Sequence, residues 1–473
     1  MLLLGFSLAM LLFFVIGAVS VTRARNEVSD YLVAGRSISP LAAGLSAVAS
    51  NNSGFMFIGA IGFTYRYGLA AVWLFLAWIA GDYLSWMLVH RRLRRFSEQR
   101  KANSIPSFLA HDGERLNRSL QIVLGSLTLV FLSLYAAAQL QAGGKALQTV
   151  LDWDPGVGVV IGAVLVLAYS FAGGIRASIW TDVAQSLVMI LAMTGLLIVA
   201  HLTIVRLPDL PGALQAIDPA LLMWTPPDAS LGLIPYALGW FIAGFGGIGQ
   251  PHIIIRAMTI DNEVSIPTMR RTYFSWYVAF SLLTFAVGLY ARVHFAGAGT
   301  AGDFDPETAL PMLAVARLPE LIVGFVIAAL FAATMSTADS QVLACSASLT
   351  QDITTRFKDS YLAGKLATVI VVVFALAMAL VGPDSVFVLV TVAWGLLTTC
   401  FAPLMVARVR GWRVTTRAYL TSTVAGLAAM LVWSYVLGMG DAVYDGAIGF
   451  VVTMAGVAWA ARRARVSRGD TGS

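Results

Sequence analysis

The chain has 473 residues, of which 58% are hydrophobic and only 12% charged, with a formal net charge of +6. A soluble domain carries about 25% charged residues, and together with a mean hydropathy of +0.80 this excludes a globule bathed in water on all sides. The two cysteines, Cys345 and Cys400, fall in or beside apolar runs and read as small packing residues rather than a disulfide.

Apolar runs such as residues 2–19, 183–200 and 366–381 approach the ~20 residues that cross a bilayer as a helix. Membrane helices are predicted near 1–20, 41–63, 69–89, 119–143, 155–173, 177–202, 231–255, 272–294, 309–340, 364–381, 384–407, 416–437 and 442–461. The first run lacks a basic leader and a small-residue cleavage site, so it reads as a retained helix and not as a signal peptide. With thirteen spans and the N-terminus outside, the 31 lysines and arginines divide 26 to the cytoplasmic side and 5 (Arg66, Lys145, Arg206, Arg292, Arg317) to the other. The positive-inside rule therefore supports both the count and the orientation, an inner-membrane protein with a cytoplasmic C-terminus. The basic excess is a topology signal, and nucleic acid is not an expected partner.

Along the chain, the basic loop at 91–118 would lie against anionic lipid headgroups. The external loops at 206–230 and 296–311 are rich in Pro, Gly and Asp and serve as connectors or as a lid over an entrance. The second span is interrupted by Ala47-Val48-Ala49-Ser50-Asn51-Asn52-Ser53-Gly54. Five spans later, Ala243-Gly244-Phe245-Gly246-Gly247-Ile248-Gly249-Gln250-Pro251 interrupts another. That offset is what a five-plus-five inverted repeat with two broken helices requires, although glycine also serves simple close packing. Asn51 and Asn52 offer donors and acceptors for a polar solute.

The ninth span carries Ala333-Thr334-Met335-Ser336-Thr337-Ala338-Asp339-Ser340-Gln341. The hydroxyls of Ser336 and Thr337 with the carbonyl of Ala333 converge on one point and suit sodium, a hard cation that prefers oxygen. The alternative is back-bonding to the preceding turn. Asp339, a costly intramembrane carboxylate, favours the functional reading. Asp182 is a second such carboxylate, two turns from Arg176 and so within reach of cytoplasmic water. Asp82, deeper in its span, has no assigned partner.

Two other functional classes fit this sequence less well. A membrane enzyme is disfavoured because the five histidines (His90, His111, His201, His252, His294) lack metal-ligand spacing and no phosphate-binding loop occurs. A sensor built on a transporter scaffold would carry an appended signalling domain, and none is expected after Arg468.

Several motifs carry a family resemblance over nearly the whole chain. Ser29-Asp30-Tyr31-Leu32-Val33-Ala34-Gly35-Arg36-Ser37 resembles the segment preceding the second span in the sodium:solute symporter family. Tyr169-Ser170-Phe171-Ala172-Gly173-Gly174-Ile175 with Trp180-Thr181-Asp182 and Gln185 resembles its central motif. Gly249-Gln250-Pro251-His252 with Arg256 is similar to the proline-transporting branch, and Met335 to Gln341 to the sodium-site helix. The resemblance implies an all-α polytopic membrane protein of the leucine-transporter type, with about 13 transmembrane helices. Residues 1–40 would form a peripheral first helix and loop, 41–202 and 203–407 the two repeats, and 408–473 two accessory helices and a tail. It implies a sodium site at Ala49, Asn52, Ala333, Ser336 and Thr337, and a second ion site at Asp182, Ser336, Asp339 and Ser340, where a proton is the alternative cation. The solute pocket would draw on Asn51, Ser53, Gly54, Tyr135, Trp240, Gly247, Gln250 and Pro251. The proline branch has aspartate where this chain has Asn51, and tryptophan and tyrosine where it has Ala243 and Gly247; the sugar branch shares the asparagine. The expectation is a sodium-coupled importer of a small polar solute such as proline, with lipid around it and no evident protein partner.

Overall fold

The computed structural model describes residues 1–21, 27–112, 115–227, 229–297, 304–382 and 385–469. Part of the external loop expected over 296–311, at 298–303, and the tail from 470 lie outside the described residues, as do the side chains of Tyr169, Ala172 and Gly173.

In hydrocarbon a backbone can satisfy its N–H and C=O groups only within a helix or a closed barrel, and this apolar chain takes the first route. The first span is Leu2–Val21 and the second is divided into Pro40–Asn51, Gly54–Phe57 and Gly59–Tyr67. The third, Val72–Ser85, runs through a π-helical turn (Trp86–His90) into Arg91–Gln99, and the fourth is Arg118–Leu151. The fifth and sixth are one run, Pro155–Thr203, bent at Gly174, whose φ of 57° is open to glycine at little cost. The seventh comprises Leu233–Phe245, Gly246–Gly249, Pro251–Ile254 and Arg256–Thr259. Ile266–His294, Glu320–Ala347, Tyr361–Val381, Val386–Val409, Thr416–Leu431 and Asp445–Gly469 complete the series. Among the described residues nine helices are long and apolar enough to cross a membrane, ten with the bent pair of the seventh span. Pro155–Ala168 is apolar but shorter.

The ninth span differs from the expectation of one helix over 309–340. A short helix, Ala309–Arg317, ends where Leu318 turns extended (φ −112°, ψ 150°), and Pro319 precedes a fresh start at Glu320. Proline removes a helix donor and pushes the residue before it out of helical geometry.

Side-chain oxygens mark several starts: Ser39, Asn117, Ser360, Ser385 and Thr415 each accept a backbone N–H of the first turn. The ninth span is the axis of the molecule, with every residue from Val326 to Ala347 buried. The first span lies outside it and turns Leu3, Leu4, Leu8 and Leu11 outward. Gly5 and Gly324 let the two backbones touch, since a Cβ on either would collide with the other's main chain.

Candidate functional site

Two helices are broken at the centre of the bundle. In the second span Asn52 (φ −87°, ψ 68°) and Ser53 (φ −69°, ψ −171°) leave helical geometry. The N–H of Gly54 donates to Gln139 Oε1 of the fourth span at 3.0 Å, and Ser53 Oγ accepts from Phe55 N at 3.1 Å to begin the next helix. A Cβ at Gly54 would sit 2.6 Å from Thr334 Cγ2, so only glycine admits the ninth span this closely. The fully buried amide of Asn52 has neither oxygen nor nitrogen partnered.

In the seventh span a 3-10 turn at Gly246–Gly249 leads to extended Gln250 (φ −100°, ψ 94°), and Pro251 restarts the helix after a 57° bend. The carbonyl of Ala243 accepts from Trp394 Nε1 of the eleventh span at 2.8 Å, and Gln250 Nε2 donates to the Trp394 carbonyl at 3.2 Å. Sequence reasoning missed Trp394. Its signal was an indole amid Val, Leu and Thr, which in hydrocarbon needs an acceptor.

Against the first break lies the ninth span. Thr337 Oγ1 is 3.1 Å from the Ala333 carbonyl of its own helix and 3.1 Å from the Ser50 carbonyl across the gap. Ser336 Oγ is buried, makes no hydrogen bond of normal geometry and faces the Asp182 carboxylate. Thr337 is thus joined to Ala333, and the carbonyl that meets it across the gap is that of Ser50, flanked by the expected Ala49 and, two residues on, Asn52. Buried hydroxyl and carbonyl oxygens at this point are the kind of ligand that a small hard cation takes.

One turn further along, the expected second-ion residues form a charged cluster. Asp182 accepts from Ser46 Oγ at 2.5 Å and Asp339 from Ser170 Oγ. Asp182 is 0% exposed, so the two turns to Arg176 do not wet it; Arg176 pairs instead with Asp30. Arg256 enters the cluster from the seventh span, 1% exposed, with Nη2 3.5 Å from Asp182 Oδ2. The same nitrogen donates to Ser178 Oγ at 3.1 Å and to Ser340 Oγ, and Nε to Ser46 Oγ at 3.2 Å.

The expected solute residues divide. Asn51 and Asn52 line a central cavity of about 20 Å³ with Phe55, Trp78 and Tyr277, which holds no more than a water. Asn51 lies against Tyr273 and Tyr277. Tyr273 donates to Asp82 Oδ2 at 2.7 Å, and Ser85 Oγ is 3.1 Å from Oδ1. A Cβ on Gly247 would stand 3.2 Å from Asp82 Oδ1, so the second break yields room to this carboxylate. Tyr135 packs edge-on to His252 at 5.5 Å and lies beside Ser53.

Trp240 stacks between Trp78 (5.8 Å) and Tyr444 (5.3 Å). Phe387 packs on Phe55 and Phe63, both at 5.3 Å. This aromatic layer separates the central cavity from an outer one of about 410 Å³, lined by Arg66, Lys145, Asp305, Glu307 and Asp441. At the opposite end a polar layer closes the bundle. Arg36 donates to the Met258 carbonyl (3.0 Å) and the Ala102 carbonyl (2.9 Å), and Arg94 Nε to Ile260 O (2.7 Å).

The model of the sodium:solute symporter family matches residues 31–426. A sodium/proline symporter of Staphylococcus aureus (strain USA300 / TCH1516) is 33% identical over 435 residues, 89% of this chain and 84% of the relative. In fold the chain is similar to a Na+-coupled sialic acid symporter in a substrate-bound outward-open state (TM-score 0.79, 20% identity, 97% of each chain). It also resembles MhsT in complex with L-phenylalanine (TM-score 0.59, 16% identity, 89% of this chain and 99% of the other).

Proposed function

The chain belongs to the sodium:solute symporter family, a multi-pass membrane transporter and not an enzyme, and from that premise we propose that it imports a small polar organic solute, an amino acid such as proline first among them, together with sodium. The observation that carries this reading is Thr337, whose oxygen bridges the Ala333 carbonyl and, across the first break, the Ser50 carbonyl, with the buried Ser336 hydroxyl beside it. We assign the coupling sodium to that point, with Ala49 and Asn52 supplying backbone oxygens from the interrupted helix. The solute pocket is the cavity at Asn51, Asn52, Trp78 and Tyr277, bounded by Ser53, Gly54, Tyr135 and the second break at Gly247, Gln250 and Pro251, with Trp240 in the aromatic lid.

The face with Arg36, Arg94 and Arg176 is cytoplasmic in this reading, in keeping with the distribution of basic residues, and the 410 Å³ cavity is the external vestibule. Sodium entering the oxygen cage offsets the repulsion among dipoles of the broken second span and the ninth. It thereby holds the first break in the geometry that the solute meets. Each charge moved inward gains ~2.3 kcal/mol per 100 mV of membrane potential, which supports roughly forty-fold accumulation at about 1.4 kcal/mol per decade. The two five-helix repeats then rock about the fixed site, which requires opening the aromatic layer on one side and the arginine layer on the other.

The solute is named by a thermal-shift screen of purified protein against amino acids, sugars, organic acids and vitamins, in sodium chloride or choline chloride. A ligand that stabilises only in sodium is then followed as uptake into proteoliposomes. Solute uptake that ignores a sodium gradient but follows a proton gradient would refute the proposal.

A further inference from the structure

On the flank of the bundle the third, seventh, eleventh and thirteenth spans enclose a groove of about 260 Å³. Its walls are apolar. Leu84 and Leu88 of the third span stand at its edge, 40% and 37% exposed, and Phe245 and Phe450 pack edge to face within it at 5.7 Å. The lining from the seventh span stops at Phe245, where the first half of that span ends ahead of the 57° bend. The third span runs on to Gln99 and the eleventh to Val409. The groove is thus the room that a broken helix leaves between continuous neighbours.

One end of this groove is basic. Arg410 lines it, and Arg92 Nη1 lies 3.5 Å from the carbonyl of Val409, another lining residue. Other arginines at this end of the same two spans have carboxylates, Arg94 with Glu98 and Arg408 with Asp112. Among the described residues no carboxylate pairs with Arg92 or Arg410. From Leu84 to Arg92 the wall runs about 12 Å at 1.5 Å per residue, which is within one leaflet of a hydrocarbon core ~30 Å thick.

We propose that this groove binds one anionic phospholipid of the cytoplasmic leaflet, with an acyl chain along the apolar wall and the phosphate between Arg92 and Arg410. The choice of leaflet rests on the orientation given above, and the site depends on neither the sodium nor the solute assignment. Guanidinium groups bind phosphate oxygens through paired N–H donors. Two such cations at one mouth repel each other, and an anion between them removes that repulsion. A zwitterionic headgroup brings its own cation and gains less, so the charge at the mouth selects an anionic lipid. The apolar wall in turn selects a lipid over a free phosphate, because only the lipid carries a tail that fills the groove.

The test counts lipid bound to the purified protein by native mass spectrometry, in a non-ionic detergent titrated with phosphatidylglycerol or with phosphatidylcholine of the same chains. One phosphatidylglycerol should bind at concentrations where phosphatidylcholine does not. Arg92→Gln combined with Arg410→Gln should raise the half-saturating concentration at least about tenfold. Arg356→Gln combined with Lys358→Gln removes as much charge from exposed positions elsewhere on the cytoplasmic face and should change nothing. Leu84→Trp combined with Leu88→Trp narrows the groove with both arginines in place and should weaken binding to a similar degree. Equal binding of the two lipids would overturn the inference, as would equal losses in the two charge variants. Competition by glycerol 3-phosphate at the same concentration would also overturn it, since the site would then be one for a free anion. If the Arg92, Arg410 variant does not survive purification, the Leu84, Leu88 variant decides: unchanged phosphatidylglycerol binding there sinks the idea, and weakened binding supports it.

Discussion

Replacing Ser336 with alanine separates a structural hydroxyl from an ion ligand, because only the second role makes the loss depend on sodium. Ser336 Oγ makes no hydrogen bond of normal geometry and faces the Asp182 carboxylate. Its removal without sodium therefore costs no more than one internal hydrogen bond, about 0.5–1.5 kcal/mol. In choline chloride the variant should melt at most slightly below the parent. In sodium it loses an interaction with a charged species, worth about 1.5–3 kcal/mol. At about 1.4 kcal/mol per decade this weakens sodium binding roughly ten- to 150-fold. At a sodium concentration ~100 times the parent's Kd, sodium stabilises the parent by about 2.7 kcal/mol. A thirty-fold weaker site retains only about 0.9 kcal/mol at that concentration, from the same relation. Parallel melts of both proteins in the two salts read this directly, and solute uptake against external sodium gives the same shift in half-saturation. A sodium-dependent increment equal to the parent's refutes the ligand assignment.

Other perturbations test other parts of the molecule. Asp82→Asn preserves an acceptor for Tyr273, which now donates at 2.7 Å, but removes the charge facing Gly247; for an amine-bearing solute, affinity should fall at least about tenfold, with sodium binding unchanged. Equal affinity in that variant would remove Asp82 from the pocket. Glu307 accepts from Lys145 (2.7 Å), Phe387 N (2.9 Å), Ser385 Oγ (3.1 Å) and Val386 N (3.2 Å), so Glu307→Gln leaves Lys145 with Asp305 alone and should destabilise by about 1–3 kcal/mol. A denaturation midpoint unchanged from the parent's would mean that this vestibule network contributes little. Gly81→Ala drives a methyl into the backbone of Phe241 and Phe245, parting the third and seventh spans. Size-exclusion profiles should show loss of monodisperse protein, and a normal profile would contradict the close approach.

Composition, hydropathy and the segregation of basic residues determine from sequence that this chain crosses a membrane many times, because hydrocarbon admits few charges and no unpaired backbone. The two breaks were legible for the same reason: Asn, Ser, Gly and Pro interrupt apolar helices where little else does, and Asn52, Ser53 and Gln250 are where the backbone departs. Pro319 was just as visible, yet its break was hidden by the apolar residues on both sides. Which side chains meet was not legible. A helix apolar on every face gives no period from which to read its orientation. Only the tertiary structure therefore joined Trp394 to Ala243, Asp82 to Tyr273 and Lys145 to Glu307. The same limit applies to charge. The resemblance grouped Asp182 with Asp339 and Ser340, but only packing brings Arg256 to them, through Ser46, Ser178 and Ser340.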